Sequence, residues 1–112
     1  MGILLLSSCQ KEFVKTYDLS VDAYKYTLGS DGLTFPVYVY CSNDWTAIFD
    51  AEQDWLKILD NTDKGRGNGL VRLKAQPNDK EFRTVNLVLK SGAFVKTINI
   101  SQNYNSIKWE IE

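Results

Sequence analysis

Apolar and polar residues alternate along most of this chain with a period of two, the mark of strands with one buried face. Phe35, Val37, Val39 and Cys41 fall on one face, with Tyr38, Tyr40 and Ser42 on the other. Val71, Leu73 and Ala75 alternate with Arg72, Lys74 and Gln76. Val85, Leu87 and Leu89 alternate with Thr84, Asn86 and, less cleanly, Val88. Phe94, Ile98 and Ile100 alternate with Val95, Thr97, Asn99 and Ser101, and Tyr24, Tyr26 and Leu28 share parity in a shorter strand. Gly29-Ser30-Asp31-Gly32 and Ser91-Gly92 carry turn chemistry. Pro36 and Pro77 are expected at a strand start and just beyond a strand end, where a missing N–H is tolerated.

Two stretches are less regular. Ile48, Ala51, Trp55 and Leu59 also fit one face of a helix, and Asp50-Ala51-Glu52-Gln53 favours helix. Two short strands joined by a turn are the preferred reading. Asp60 to Gly69 reads as loop throughout. Short strands separated by frequent turn signals predict an all-β fold: an immunoglobulin-like β-sandwich of about seven to eight antiparallel strands.

Composition narrows the chemistry. The 112 residues suit a single domain with one core. Hydrophobic residues make up 44% and charged residues 24%, ordinary globular values. Aromatic content is generous, with six Tyr, five Phe and three Trp. Net charge is −1 with Lys and Arg scattered, so no basic field recruits nucleic acid. The chain has no histidine, which excludes Ser-His-Asp and Cys-His catalysis and histidine-ligated zinc. No cofactor or metal site is expected. Asp60-Asn61-Thr62-Asp63-Lys64-Gly65 fails as a calcium loop, because Lys64 falls at a ligand position and Val71 where the bidentate Glu belongs. Gly65-Arg66-Gly67-Asn68-Gly69 lacks nucleotide-loop spacing and reads as a turn supplying positive φ. Asp44, Asp50, Glu52 and Asp54 are close in sequence, but a small sandwich offers little cleft for paired carboxylate catalysis. Asn99-Ile100-Ser101 is a formal glycosylation sequon.

The amino terminus predicts an address. Ile3-Leu4-Leu5-Leu6-Ser7-Ser8-Cys9 is an apolar run, two small residues and a cysteine, the pattern of bacterial lipoprotein processing. Cys9 would then be the lipidated residue. No Lys or Arg precedes the run and the run is short, so residues 1–12 read as a truncated lipoprotein signal and short tether. Residues 13–112 are the folded domain. Anchoring would rest on acyl chains, at about 0.8 kcal/mol per buried methylene. Cys41, left without a disulfide partner, reads as a small buried hydrophobe.

Several small motifs then follow in order: Ser42-Asn43-Asp44-Trp45-Thr46, Asp54-Trp55-Leu56, the glycine run, Pro77-Asn78, Arg83-Thr84-Val85, and a strand ending Ile98-Asn99-Ile100-Ser101-Gln102. This ordered set, over roughly residues 20–103, resembles the BACON domain (Bacteroidetes-associated carbohydrate-binding often N-terminal). The resemblance implies an immunoglobulin-like sandwich and a non-catalytic binding module of the bacterial cell envelope. An outer-membrane lipoprotein, periplasmic or surface-exposed, fits that expectation. Glycan is the leading ligand class, mucin-type glycans included. The alternative is a structural subunit packing against another cell-envelope protein. The candidate carbohydrate-binding residues are Tyr38, Tyr40, Trp45 and Trp55. Trp45 and Trp55 read as core or, if exposed, as sugar-stacking rings. Tyr38 and Tyr40 are the better platform, about 7 Å apart along one strand face. Trp109 and Ile111 form a final strand or cover a sheet edge.

Overall fold

A computed structural model describes residues 18–105. Cys9, the tether, and the tail residues Trp109 and Ile111 lie outside the described residues. Alternation becomes strands: β1 (Ser20–Val21), β2 (Lys25–Leu28), β3 (Leu33–Tyr40), β4 (Asp44–Phe49), β5 (Leu56–Leu59), β6 (Lys64–Arg66), β7 (Gly69–Ala75), β8 (Arg83–Ser91) and β9 (Phe94–Gln102). They form two sheets, ordered β1-β3-β7-β5 and β2-β9-β8-β4-β6. The sheets stack through Val37, Val39, Val71 and Leu73 on one side and Leu87, Leu89, Ile98 and Ile100 on the other, all fully buried. Each such side chain stabilises the fold by about 1.5–3 kcal/mol through area removed from water.

The sandwich expected from sequence is present, with four corrections. Among the described residues it has nine strands rather than seven to eight. One pair, β2 with β9, is parallel. The chain enters as β1, antiparallel to the end of β3, crosses the open side of the sandwich within three residues, and joins the other sheet as β2. One strand divided between two sheets closes that side, and it raises the count. Second, the segment expected to be all loop contains β6, which pairs with Asp44 to Thr46 of β4. Third, Phe94 has the parity of Ile98 and Ile100 but is exposed, because β9 starts beyond the edge of the facing sheet's core. Fourth, Pro36 is the fourth residue of β3, not its start. β1 pairs only with Val39 and Tyr40. Residues 33–38 of β3 therefore have no described strand on that side, and a residue without an N–H loses no bond there.

Residues 48–59 are two strands joined by a turn, as preferred over a helix. Gln53 fastens that turn: its Oε1 accepts from the N–H groups of Trp55 and Leu56, and its Nε2 donates to the Leu56 carbonyl. The β8–β9 hairpin closes through Gly92-Ala93, with Gly92 at φ 59° where a two-residue turn of type II′ needs a glycine. Asp60 and Asn61 hold φ near 58° and 57° in the turn leading from β5, residue types that tolerate the left-handed region.

Candidate functional site

The residues that carry the ordered motifs are absorbed by the fold. Trp45, the second residue of β4, points inward and is only 3% exposed. Its indole N–H donates to the Gly67 carbonyl at 2.9 Å. Its ring lies on the glycine run so closely that a Cβ at position 65 would stand 2.5 Å from Trp45 Cζ2. Trp55 is 6% exposed. The Arg83 guanidinium lies over its ring, 4.9 Å from the centroid, a cation–π arrangement. Arg83 Nε donates to Gln102 Oε1 at 2.9 Å, and its terminal nitrogen donates to the Gln76 and Pro77 carbonyls. Gln102, fully buried, donates from Nε2 to the carbonyls of Gly29 and Gln76. Asn78, also buried, donates to the carbonyls of Glu81 and Asn103. Trp45 and Trp55 are core residues, the first of the two readings their sequence allows, and are too buried to serve as sugar platforms. Neither offers an open ring face, because the glycine run covers Trp45 and the Arg83 guanidinium covers Trp55.

Tyr38 and Tyr40 do face outward, on the four-stranded sheet, but they are not equivalent. Tyr40 is half-buried and its hydroxyl donates to Asp22 Oδ2 at 3.2 Å. Tyr38 is 45% exposed. Cross-strand register sets its neighbours: Leu70 opposite Tyr38, Arg72 opposite Pro36, and Lys74 opposite Thr34. Thr34, Phe35, Pro36, Tyr38, Leu70 and Arg72 line a shallow depression, with Phe35 as its buried floor. Arg72 Nε is 3.4 Å from Asp60 Oδ2, and its backbone N–H donates to Thr62 Oγ1. Arg72 thus lines the depression with its guanidinium paired to Asp60. Pro36, Leu70 and Arg72 were not singled out from sequence. The alternation of β7 puts Leu70, Arg72 and Lys74 on one face, but only register brings that face to Tyr38.

Other candidates close on themselves. On the outer face of the five-stranded sheet, Asn86 donates to Asp50, and Asn99 donates to Thr84 and Asn86. Asp44 pairs with Arg66. Among the described residues no group of three or more acidic or thiol side chains converges as a metal site. Cys41 is buried, with its Sγ 3.2 Å from the Asp18 carbonyl oxygen and 3.3 Å from Ser91 Oγ, either of which can accept its one proton. Tyr26 packs on Phe35 with ring centroids 5.7 Å apart. Burial, and then the carboxylate of Asp22, raise the Tyr26 phenol above its ordinary value.

Comparison with known proteins gives a family and a fold. The sequence model of the BACON family, described as "Putative binding domain, N-terminal", matches residues 41–103. No curated protein sequence matches the chain. A Bacteroides ovatus GH5 xyloglucanase, solved in complex with a XXXG heptasaccharide, superposes with a TM-score of 0.67 at 20% identity. That match covers 80% of this chain and 20% of the xyloglucanase. An NMR structure of a protein from Bacteroides thetaiotaomicron matches with a TM-score of 0.52 at 8% identity, over 83% of this chain and 88% of that one. At these identities the likeness is one of fold.

Proposed function

The chain belongs to the BACON family, and on that premise we propose that it is a non-catalytic module that binds glycan on the outer face of β3 and β7. One observation carries this reading: after the tryptophans are consumed by the core, Tyr38 keeps an open ring in a depression rimmed by Pro36, Leu70 and Arg72. A pyranose has an apolar C–H face and a hydroxyl rim. The C–H face suits the electron-rich face of a tyrosine ring. Arg72 supplies N–H donors fixed in a fork for hydroxyl or carboxylate oxygens at the rim.

The test is a glycan array probed with the full chain, with Tyr38→Ala and with Tyr40→Ala. Tyr38→Ala weakens binding by about ten-fold, the scale of a lost aromatic anchor. Tyr40→Ala, whose hydroxyl is held by Asp22, has the smaller effect. Binding unchanged by Tyr38→Ala removes the platform, and binding to no glycan removes the class.

The alternative is an envelope-protein partner added as a strand along residues 33–38 of β3, where no described strand pairs. Pro36 weakens this edge as a template, since it offers no N–H in the middle of the run.

We also propose that Cys9 is acylated and holds the module at a bacterial envelope membrane. The Leu-Ser-Ser-Cys pattern supports this. Labelling with an alkyne fatty acid marks the wild-type chain and not Cys9→Ala; equal labelling of both would end the anchor reading.

A further inference from the structure

We propose that the glycan held by the Tyr38 face is acidic, a polysaccharide bearing carboxylate or sulfate groups; this rests on the glycan reading above. The four strands of this sheet contain three charged residues, Lys57, Arg72 and Lys74, and all are basic. Lys57 of β5 stands directly opposite Lys74 of β7, which in turn stands opposite Thr34 of β3. Directly opposed residues of an antiparallel pair have Cβ atoms about 4.5–5.5 Å apart, and like charges so placed repel. Both lysines are exposed. Among the described residues the ion pairs are Arg66–Asp44 and Arg72–Asp60, and neither lysine has one.

An unrelieved like-charge pair breaks a local rule of sheet design, and such breaks mark functional positions. The position here adjoins the aromatic platform. Along the sheet the rows run Tyr38 with Leu70, then Pro36 with Arg72 and Leu59, then Thr34 with Lys74 and Lys57. Successive rows are about 7 Å apart on one face. A sugar stacked on Tyr38 would therefore extend past Arg72 to the lysine pair, where an anionic group replaces repulsion with attraction. The opposite sheet carries outward lysines too, Lys64 and Lys90, but they flank Thr46 rather than face each other.

The experiment titrates the full chain with polygalacturonate and chondroitin sulfate, against neutral dextran and galactan. It compares wild type, Lys57→Gln/Lys74→Gln, and the opposite-face control Lys64→Gln/Lys90→Gln. Each exposed charge contact contributes up to about five-fold, so the first double variant is expected to lose about five-fold or more on acidic polymers. The control should bind like wild type. Raising salt from 0.15 to 0.5 M should weaken wild-type binding to acidic polymers. Removing the repulsion should leave the thermal midpoint of the first variant equal or higher, so a loss of binding is not a loss of fold.

Equal losses in both double variants, or dextran or galactan bound as tightly as polygalacturonate, overturn the acidic assignment and leave the glycan reading standing. Binding to none of the four polymers overturns both. Binding to phosphatidylglycerol/phosphatidylcholine vesicles that exceeds polygalacturonate binding, and falls in the first variant alone, assigns the lysines to a membrane and overturns the proposal.

Discussion

Gly65 has no side chain because Trp45 occupies the place where a Cβ would stand. Gly65→Ala should therefore destabilise by about 1–3 kcal/mol, the cost of overpacking, in urea unfolding followed by tryptophan fluorescence. Gly67 differs. A Cβ there meets no atom, but φ is 80°, so Gly67→Ala costs about 1–2 kcal/mol through backbone strain alone. Near-UV circular dichroism separates the two: the Trp45 signal changes in the first variant and persists in the second. The sequence shows a glycine run and suggests turn conformations. It does not show that one glycine yields to a ring twenty residues earlier, since that contact exists only after β6 pairs with β4. Tyr26 makes a second prediction at this scale. Its phenol is raised by burial first and by Asp22 second. The folded state then holds the proton more tightly than the unfolded state, so stability is retained below the ordinary value of 10.0 and falls as pH rises above it. Tyr26→Phe flattens that alkaline fall, measured as urea midpoints between pH 8 and 11.

At the scale of strands, β9 and β8 are tied to the loops at one end of the sandwich by Gln102 and Arg83. Gln102 joins the β2–β3 turn through the Gly29 carbonyl and the exit of β7 through the Gln76 carbonyl. Gln102→Leu keeps the volume but removes two donors and the acceptor for Arg83 Nε. A cost of about 1–3 kcal/mol follows from polar groups left unsatisfied. Amide exchange should quicken around residues 28–33 and 76–78 while the centre of β8 keeps its protection. The long strands β3, β7, β8 and much of β9 are legible because each alternates over seven or more residues against one core. β1 and β6 have two and three residues, too few for a period, and exist through their partners. The parallel pairing of β2 with β9 joins residues some seventy positions apart, beyond any local signal.

The molecule as a whole separates what holds it together from what it presents. Trp45, Trp55, Arg83 and Gln102, four residues of the motifs that carry the family resemblance, face inward or bind one another, so the resemblance they carry points to a fold. The candidate site was half legible: alternation turned Tyr38 outward, while Pro36, Leu70, Arg72 and Lys57 joined it only through register across β3, β7 and β5. Among the described residues every acidic side chain but Asp44 lies outside the strands, while the four-stranded sheet carries Lys57, Arg72 and Lys74, so a net charge of −1 conceals a cationic outer face. The most direct test of the account is a two-dimensional amide NMR titration of the isotope-labelled full chain with the oligosaccharide bound most tightly on the array. The account predicts shifts concentrated at residues 34–38 and 70–74 and lost in Tyr38→Ala. Shifts confined to the opposite face, around Ile48, Val88 and Thr97, would contradict it.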